Sequence, residues 1–188
     1  MPSEAAMNRV TPDGSRMVEL LAASGPFEAY ADQLMLFGQF VGSWDVEASY
    51  FDESGALTRT RRGEWHFGWV LEGRAIQDVL LTPPLAERGS PGARSDEYGT
   101  TVRFYDPKTD SWQVTWLGPV FGLSVSLIAR RVGEEIWLEG RSPDGNLCRW
   151  TFSEIRPDSF RWRGFDSSDE GRSWFLSEEM QVRRRAAV

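Results

Sequence analysis

The segment FVGSWDVEASY at residues 40–50 decides the fold, because here the chain changes from helical spacing to strand alternation. Its two alternating sets of side chains are Trp44, Val46, Ala48 and Tyr50 on one side, and Asp45, Glu47 and Ser49 on the other. A period of two residues is expected of a strand with one buried face and one wet face. The segment therefore predicts the first strand of a β-rich domain.

The chain after this segment repeats the same pattern. Short alternating stretches are separated by turn residues such as Asp52-Glu53-Ser54-Gly55 and Asp106-Pro107, which supply the backbone conformations that tight turns need. Counted from Gly42, this gives about ten strands at regular hairpin spacing. We predict an all-β fold, an antiparallel up-and-down β-barrel of about ten strands with short N-terminal helices. A β-sandwich with the same strand count is the competing architecture.

Three regions are expected along the chain. Residues 1–14 are polar and contain two prolines, which is typical of a flexible N-terminus. Residues 15–41 carry helical spacing, and their apolar stripe should cap one end of the barrel. Residues 42–185 form the barrel. Within it, residues 82–96 contain three prolines and lack alternation, so we expect a long loop that is either a lid or disordered.

Composition limits the possible partners. The chain has 188 residues, of which 40% are hydrophobic, so we expect one domain, and the net charge of -7 argues against nucleic-acid binding. Cys148 is the only cysteine, so no intramolecular disulfide forms and a cytoplasmic location is favoured. No segment reaches the length and hydrophobicity of a membrane span, so no membrane partner is expected. The many Trp and Phe residues suggest a possible homodimer.

His66 is the only histidine of the chain. A multi-histidine metal site is therefore excluded, and we expect no metal. His66 lies two residues from Glu64 on the same strand face and could act as an acid/base group. The alternative is that both side chains face solvent while Trp65, Phe67 and Trp69 face inward.

Two other strands carry a carboxylate on an apolar face. Glu178 lies between Leu176 and Met180, and Asp78 lies between Ile76 and Leu80. Because an uncompensated buried charge is costly, each needs a partner, a ligand or a raised proton affinity. Arg74 shares the face of Asp78 and is a candidate partner. The predicted catalytic residues are Glu178, Asp78 and His66.

Aromatic residues on apolar strand faces complete the predicted site. The predicted ligand-binding residues are Tyr50, Tyr98, Trp116, Arg74 and Glu64. The chain contains neither a P-loop nor a glycine-rich dinucleotide fingerprint, so no cofactor is expected. The predicted function is binding of a small, mostly apolar organic molecule, aromatic or isoprenoid-like. A cofactor-free lyase, isomerase or cyclase that works by proton transfer is the alternative.

Two motifs resemble known families. A helix followed by Gly42-Ser43-Trp44 at the start of a meander resembles the calycin superfamily, which includes lipocalins, fatty-acid-binding proteins and nitrobindins, and is most similar to bacterial lipocalin-like domains. This resemblance implies that Trp44 seals the barrel floor beside a basic side chain from a late strand, for which Arg183 is the candidate. Nitrobindins bind haem through a histidine of a late strand, where this chain has none; haem binding is a second alternative function.

Residues 167–174 fit the pattern Ser-x-Asp-x-Gly-x-Ser/Thr-Trp, which resembles the Asp box of sialidases and other β-proteins. This resemblance implies a folding device in which the aspartate binds turn amides and the tryptophan packs under the hairpin. It does not imply glycosidase chemistry.

Overall fold

The predicted barrel is confirmed by a computed structural model, which describes residues 14–88 and 97–186. The ten barrel strands are β2 Gly42–Phe51, β3 Leu57–Val70, β4 Ala75–Thr82, β5 Glu97–Asp106, β6 Ser111–Gly118, β7 Leu123–Val132, β8 Glu135–Arg141, β9 Leu147–Arg156, β10 Ser159–Ser167 and β11 Phe175–Arg184. Before them come helix α1 Ser15–Leu21, the short strand β1 Ala22–Ala23, a 3-10 turn at Glu28–Tyr30 and helix α2 Ala31–Gly38.

The sheet closes on itself. Each barrel strand pairs antiparallel with its neighbour in sequence, β11 returns to pair with β2, and β3 pairs with both β2 and β4. This closure excludes the β-sandwich, which would leave edge strands. The last two residues of β3 extend past the start of β2, and they pair with β1 instead.

An aromatic cluster fills the end of the barrel that α2 covers. Phe37 lies edge-on to Trp112, with 4.9 Å between their ring centroids. The ring centroid of Phe40 lies 4.7 Å from that of Phe160 and 5.0 Å from that of Phe152. The helical stripe therefore caps the barrel as expected, and we call this end the floor. By contrast, α1 has no buried residue.

Trp44 seals the floor, but its basic partner is Arg184 rather than the predicted Arg183. The indole of Trp44 donates a hydrogen bond to the carbonyl of Phe40 at 2.7 Å, and the guanidinium of Arg184 lies 3.9 Å from the ring centroid. Val182 is buried and faces inward, so strand alternation turns Arg183 outward and Arg184 back towards the floor.

The turn between β10 and β11 has the geometry that the Asp-box resemblance implied. Asp169 accepts hydrogen bonds from the Ser167 hydroxyl at 2.9 Å, from the Ser173 amide at 2.9 Å and from the Ser173 hydroxyl at 2.7 Å. Glu170 and Gly171 both have positive φ, 58° and 84°. These bonds hold the turn together locally, and the Glu170–Arg141 ion pair links it to β8.

The outer wall carries ion pairs between side chains of different strands. Arg161 contacts Glu154 and Glu179, and Arg163 contacts Glu135 at 3.7 Å. These two arginines therefore lie on the outer wall, where they alternate with the buried, inward-facing Phe160 and Trp162. Of the loop predicted at residues 82–96, Thr82 closes β4, Leu85–Glu87 is a 3-10 turn, and residues 89–96 lie outside the described residues.

Candidate functional site

The barrel interior is only partly filled by its own side chains. Towards the end opposite α2 it contains a cavity of about 280 Å³. Four indoles line this cavity, those of Trp65, Trp116, Trp150 and Trp162. The remaining apolar wall is formed by Leu80, Phe121, Leu123, Val125, Leu138, Phe152 and Met180. The rings that seal the floor thus leave the upper half of the barrel open to a guest molecule.

Glu178 is the carboxylate on the cavity wall. It lies directly opposite Tyr50 in the pairing of β11 with β2, and both side chains line the cavity. Burial raises the pKa of Glu178 to about 7, and the nearby charge of Glu97 acts in the same direction. Burial also raises the pKa of Tyr50. Of the two groups, only Glu178 therefore changes its protonation state near neutral pH.

The cavity mouth carries a second carboxylate and an arginine. Glu97 begins β5 and lines the cavity, and burial raises the pKa of its side chain. Arg59 is the cross-strand neighbour of Tyr50, and its guanidinium lies 4.1 Å from the Tyr50 ring centroid. Arg59 is exposed, so most of its charge is solvated.

Asp78 faces inward as predicted, and its ion-pair partner is Arg103 of the neighbouring strand rather than Arg74. Both side chains are about 1% exposed. The amide of Thr101 also donates to Asp78 at 3.3 Å. Burial raises the pKa of Asp78 and lowers that of Arg103, while each charge opposes the shift of the other. The Nε and Nη1 atoms of Arg103 have no hydrogen-bond partner among the described residues, and the guanidinium lies 4.8 Å from the Phe37 ring centroid.

His66 and Glu64 lie on the outer wall, because Trp65 and Phe67 occupy the inner face of β3. The two ring nitrogens of His66 bond the Ser43 hydroxyl at 2.9 Å and the Glu64 carboxylate at 3.0 Å. Burial alone would raise the pKa of Glu64, but hydrogen bonds from His66, Arg185 and the Leu85 amide lower it overall. This network lies outside the cavity.

The other predicted ligand-binding residues divide between cavity and surface. Tyr50 and Trp116 line the cavity. Tyr98 is 49% exposed and packs under Arg88, because β5 turns Glu97, Gly99 and Thr101 inward. Arg74 lies at the floor, with its guanidinium 3.5 Å from the Phe27 ring centroid.

Several cavity residues escaped sequence reasoning, notably Glu97, Arg103, Trp150 and Trp162. One residue in the sequence of β5, Gly99, could have indicated which face of this strand points inward. A Cβ at Gly99 would lie 2.4 Å from the ring of Trp116, so this glycine leaves room for an inward-facing indole. Gly99 therefore marks its own face, with Glu97, Thr101 and Arg103, as the inner one.

Within the described residues no cluster of three or more His, Cys, Asp or Glu side chains has the arrangement of a metal site. The helices of the same part of the chain are all too short or too polar to cross a membrane.

Comparisons with known proteins agree with the architecture. No protein-family model and no curated protein matches the chain. Among solved structures, Rv2717c from M. tuberculosis has a TM-score of 0.58 at 13% identity, covering 83% of this chain and 99% of that one. The S-type phycobiliprotein lyase CPES from Guillardia theta has a TM-score of 0.53 at 12% identity, covering 82% of this chain and 93% of that one. At such identity the likeness concerns the fold.

Fold and cavity together define the class: the protein is a closed, ten-stranded antiparallel β-barrel with an internal, mostly apolar cavity, and these solved structures share its fold.

Proposed function

We propose that the barrel binds a small, mostly apolar, aromatic organic molecule in its cavity. The observation that carries this proposal is the cavity of about 280 Å³ with four indoles and few polar groups on its wall. Ligand pockets are typically apolar with a small number of placed polar groups, which is the composition found here. An apolar cavity of about 150 Å³ is enough for benzene, so this one suits a molecule of one or two rings.

Proton-transfer catalysis in the same cavity is the second candidate function, as a cofactor-independent lyase, isomerase or cyclase. Glu178, which lines the cavity opposite Tyr50 and has its pKa raised by burial to about 7, favours it. A general acid or base works best when its pKa lies near the working pH. The solved neighbour named a phycobiliprotein lyase supports this candidate only as an example of a lyase on the same fold. Of the other residues predicted as catalytic, Asp78 is already paired with Arg103 and His66 faces outward.

Haem binding has little support from this geometry. The single imidazole of the chain lies on the outer wall with both nitrogens in hydrogen bonds. A tetrapyrrole macrocycle also needs several times the space that one benzene ring fills. We therefore do not propose it.

The homodimer and the cytoplasmic location stay predictions. Apolar side chains do lie exposed on the outer faces of β5 to β7, among them Phe104, Leu117 and Ile128. Sedimentation at micromolar concentration tests the dimer: a compact monomer would contradict it.

The binding proposal is tested with 6-propionyl-2-(dimethylamino)naphthalene, a neutral two-ring fluorophore whose emission shifts to shorter wavelength in apolar surroundings. We expect saturable binding with energy transfer from the cavity tryptophans. Val125→Phe replaces a small aliphatic side chain of the cavity wall with a phenyl ring and should abolish binding. Ile128→Phe, on the outer face of the same strand, should leave binding intact. Equal binding by both variants, or none by the unmodified protein, would contradict the proposal. Native mass spectrometry of freshly purified protein would give the mass of any retained ligand.

A further inference from the structure

The charged groups of the cavity are unequally neutralised. Arg103 is deep in the wall and already holds Asp78. Arg59 is exposed at the mouth and rests on the Tyr50 ring. Glu178 forms no ion pair with any residue that the structure describes, and its cross-strand neighbour Tyr50 is a neutral phenol. The only cations that act on the two cavity carboxylates within the described residues are Arg59 for Glu178 and Arg88 for Glu97, and neither forms an ion pair with its carboxylate there.

The second carboxylate strengthens this asymmetry. Glu97 lines the same cavity from β5, and its charge acts on both Glu178 and Tyr50. The groups that act on Glu178 from the surrounding strands are Tyr50, Arg59, Glu97 and Asp166, of which only Arg59 is cationic. Two carboxylates on an apolar wall repel each other unless one takes a proton or a cation enters between them.

The apolar wall has the surface that such a cation would contact. The faces of indole rings attract ammonium groups, tryptophan most strongly, and the effect grows when water is excluded. Trp116, Trp150 and Trp162 line the cavity that Glu178 faces. A carboxylate beside several indoles provides both an ion pair and cation–π contacts for one organic cation.

We propose that the ligand is an organic cation, an aromatic or arylalkyl ammonium compound whose positive group contacts Glu178 while its apolar body lies among the cavity tryptophans. This inference rests on the proposed binding function and specifies the chemistry of its ligand. A cation in this position neutralises a half-buried carboxylate on the cavity wall, which a neutral hydrocarbon would leave unpaired.

Three probes of nearly equal shape test the charge of the ligand: phenyltrimethylammonium, tert-butylbenzene and benzenesulfonate. None of them titrates between pH 5 and pH 9, so any pH dependence of binding comes from the protein. Each is measured by displacement of 6-propionyl-2-(dimethylamino)naphthalene. We expect the cation to bind most tightly and the anion least tightly at pH 8.

The affinity for the cation should rise about tenfold between pH 6 and pH 8, because the ionised fraction of Glu178 rises by that factor when its pKa is about 7. The affinity for tert-butylbenzene should change less than about twofold over the same range. Glu178→Gln should remove the pH dependence of cation binding and lower the affinity for the cation at pH 8 by about tenfold. The affinity for the neutral probe should not fall. Glu179→Gln, one residue along the same strand and paired with Arg161 on the outer wall, is the matched control and should change neither.

The outcomes separate the two proposals. Tighter binding of the neutral or anionic probe, or a cation affinity that is independent of pH and of Glu178, would overturn the cation assignment while binding in the cavity stands. Absence of binding by all three probes and by the fluorophore would overturn the binding function itself. Should Glu178→Gln fail to fold, Glu97→Gln replaces it and should weaken the cation selectively.

Discussion

The guanidinium of Arg184 lies over the indole of Trp44, with 3.9 Å between its central carbon and the ring centroid. The same guanidinium donates hydrogen bonds to three backbone carbonyls, those of Gln39 at 2.9 Å, Val41 at 2.8 Å and Pro157 at 2.8 Å. One side chain thereby joins the end of the helical cap, the first barrel strand and the β9–β10 turn.

This arrangement also explains the glycine before Trp44. Gly42 has φ of +129°, which favours glycine, and a Cβ there would lie 2.7 Å from Nη1 of Arg184. The Gly-x-Trp motif is therefore one part of a three-part floor lock made by Gly42, Trp44 and Arg184.

Removal of Arg184 should destabilise the barrel. We expect Arg184→Ala to lower the free energy of unfolding by about 2–4 kcal/mol, since hydrogen bonds to a charged donor and a cation–π contact are lost together. Urea unfolding followed by tryptophan fluorescence measures the loss. Arg183→Ala, on the outer face, is the control and should cost less than about 0.5 kcal/mol. Equal losses of unfolding free energy in the two variants would contradict the stabilising role of the floor lock.

Glu178 should make stability depend on pH. Its folded pKa of about 7 is higher than the ordinary value of 4.5, so the folded protein holds this proton more tightly than the unfolded chain. Its contribution is therefore favourable at low pH and is lost as the pH rises through about 7. Glu178→Gln should be near neutral at pH 4 and raise the free energy of unfolding by about 1–3 kcal/mol at pH 8. Urea titrations at both pH values measure this; an equal effect at the two values would contradict the raised pKa.

The buried Asp78–Arg103 pair should behave as one unit. Arg103→Met leaves the Asp78 carboxylate without its partner and should cost about 3–5 kcal/mol. Adding Asp78→Leu removes the stranded charge, so the double variant should be more stable than Arg103→Met alone. A double-mutant cycle by urea unfolding measures the coupling, and strictly additive losses would show that the pair contributes nothing jointly.

The Asp-box turn should depend on an ionised Asp169. Hydrogen bonds from Ser173 and Ser167 outweigh desolvation and lower the pKa of this carboxyl from 3.8 to about 2. Its contribution is thus present above pH 4 and is lost as the pH falls towards 2. Asp169→Ala should lower the melting temperature at pH 7, and the difference from the unmodified protein should shrink below pH 4. A constant difference across this range would indicate that the charge is unimportant.

The barrel could be predicted from the sequence because the patterns that specify its strands and turns involve residues close together in the chain. Alternation with period two, short turns and the apolar stripe around Leu34 and Phe37 each depend on residues close together in the chain. Alternation also predicted that Glu178 lies on an inner face, since its neighbours at intervals of two residues are apolar. It also left open which face of β3 points inward, and the structure resolves this by burying Trp65 and Phe67.

Local pattern failed where both faces of a strand are plausible. On β5 the inner face carries Glu97, Thr101 and Arg103, whereas the apolar Tyr98 and Phe104 face out. A charged inner face is tolerable only because Asp78 of the adjacent strand neutralises Arg103, and that pairing is not visible in β5 alone.

The sequence by itself thus determined the strand count, the turns and the apolar face that bears Glu178. Only the tertiary structure decided the partners: Tyr50 for Glu178, Arg103 for Asp78 and Arg184 for Trp44. It also decided that a cavity exists, because the volume left between the floor cluster and the mouth depends on how all ten strands place their inward side chains together. Alternation fixes the face of a side chain, whereas closure of the sheet fixes what that side chain meets.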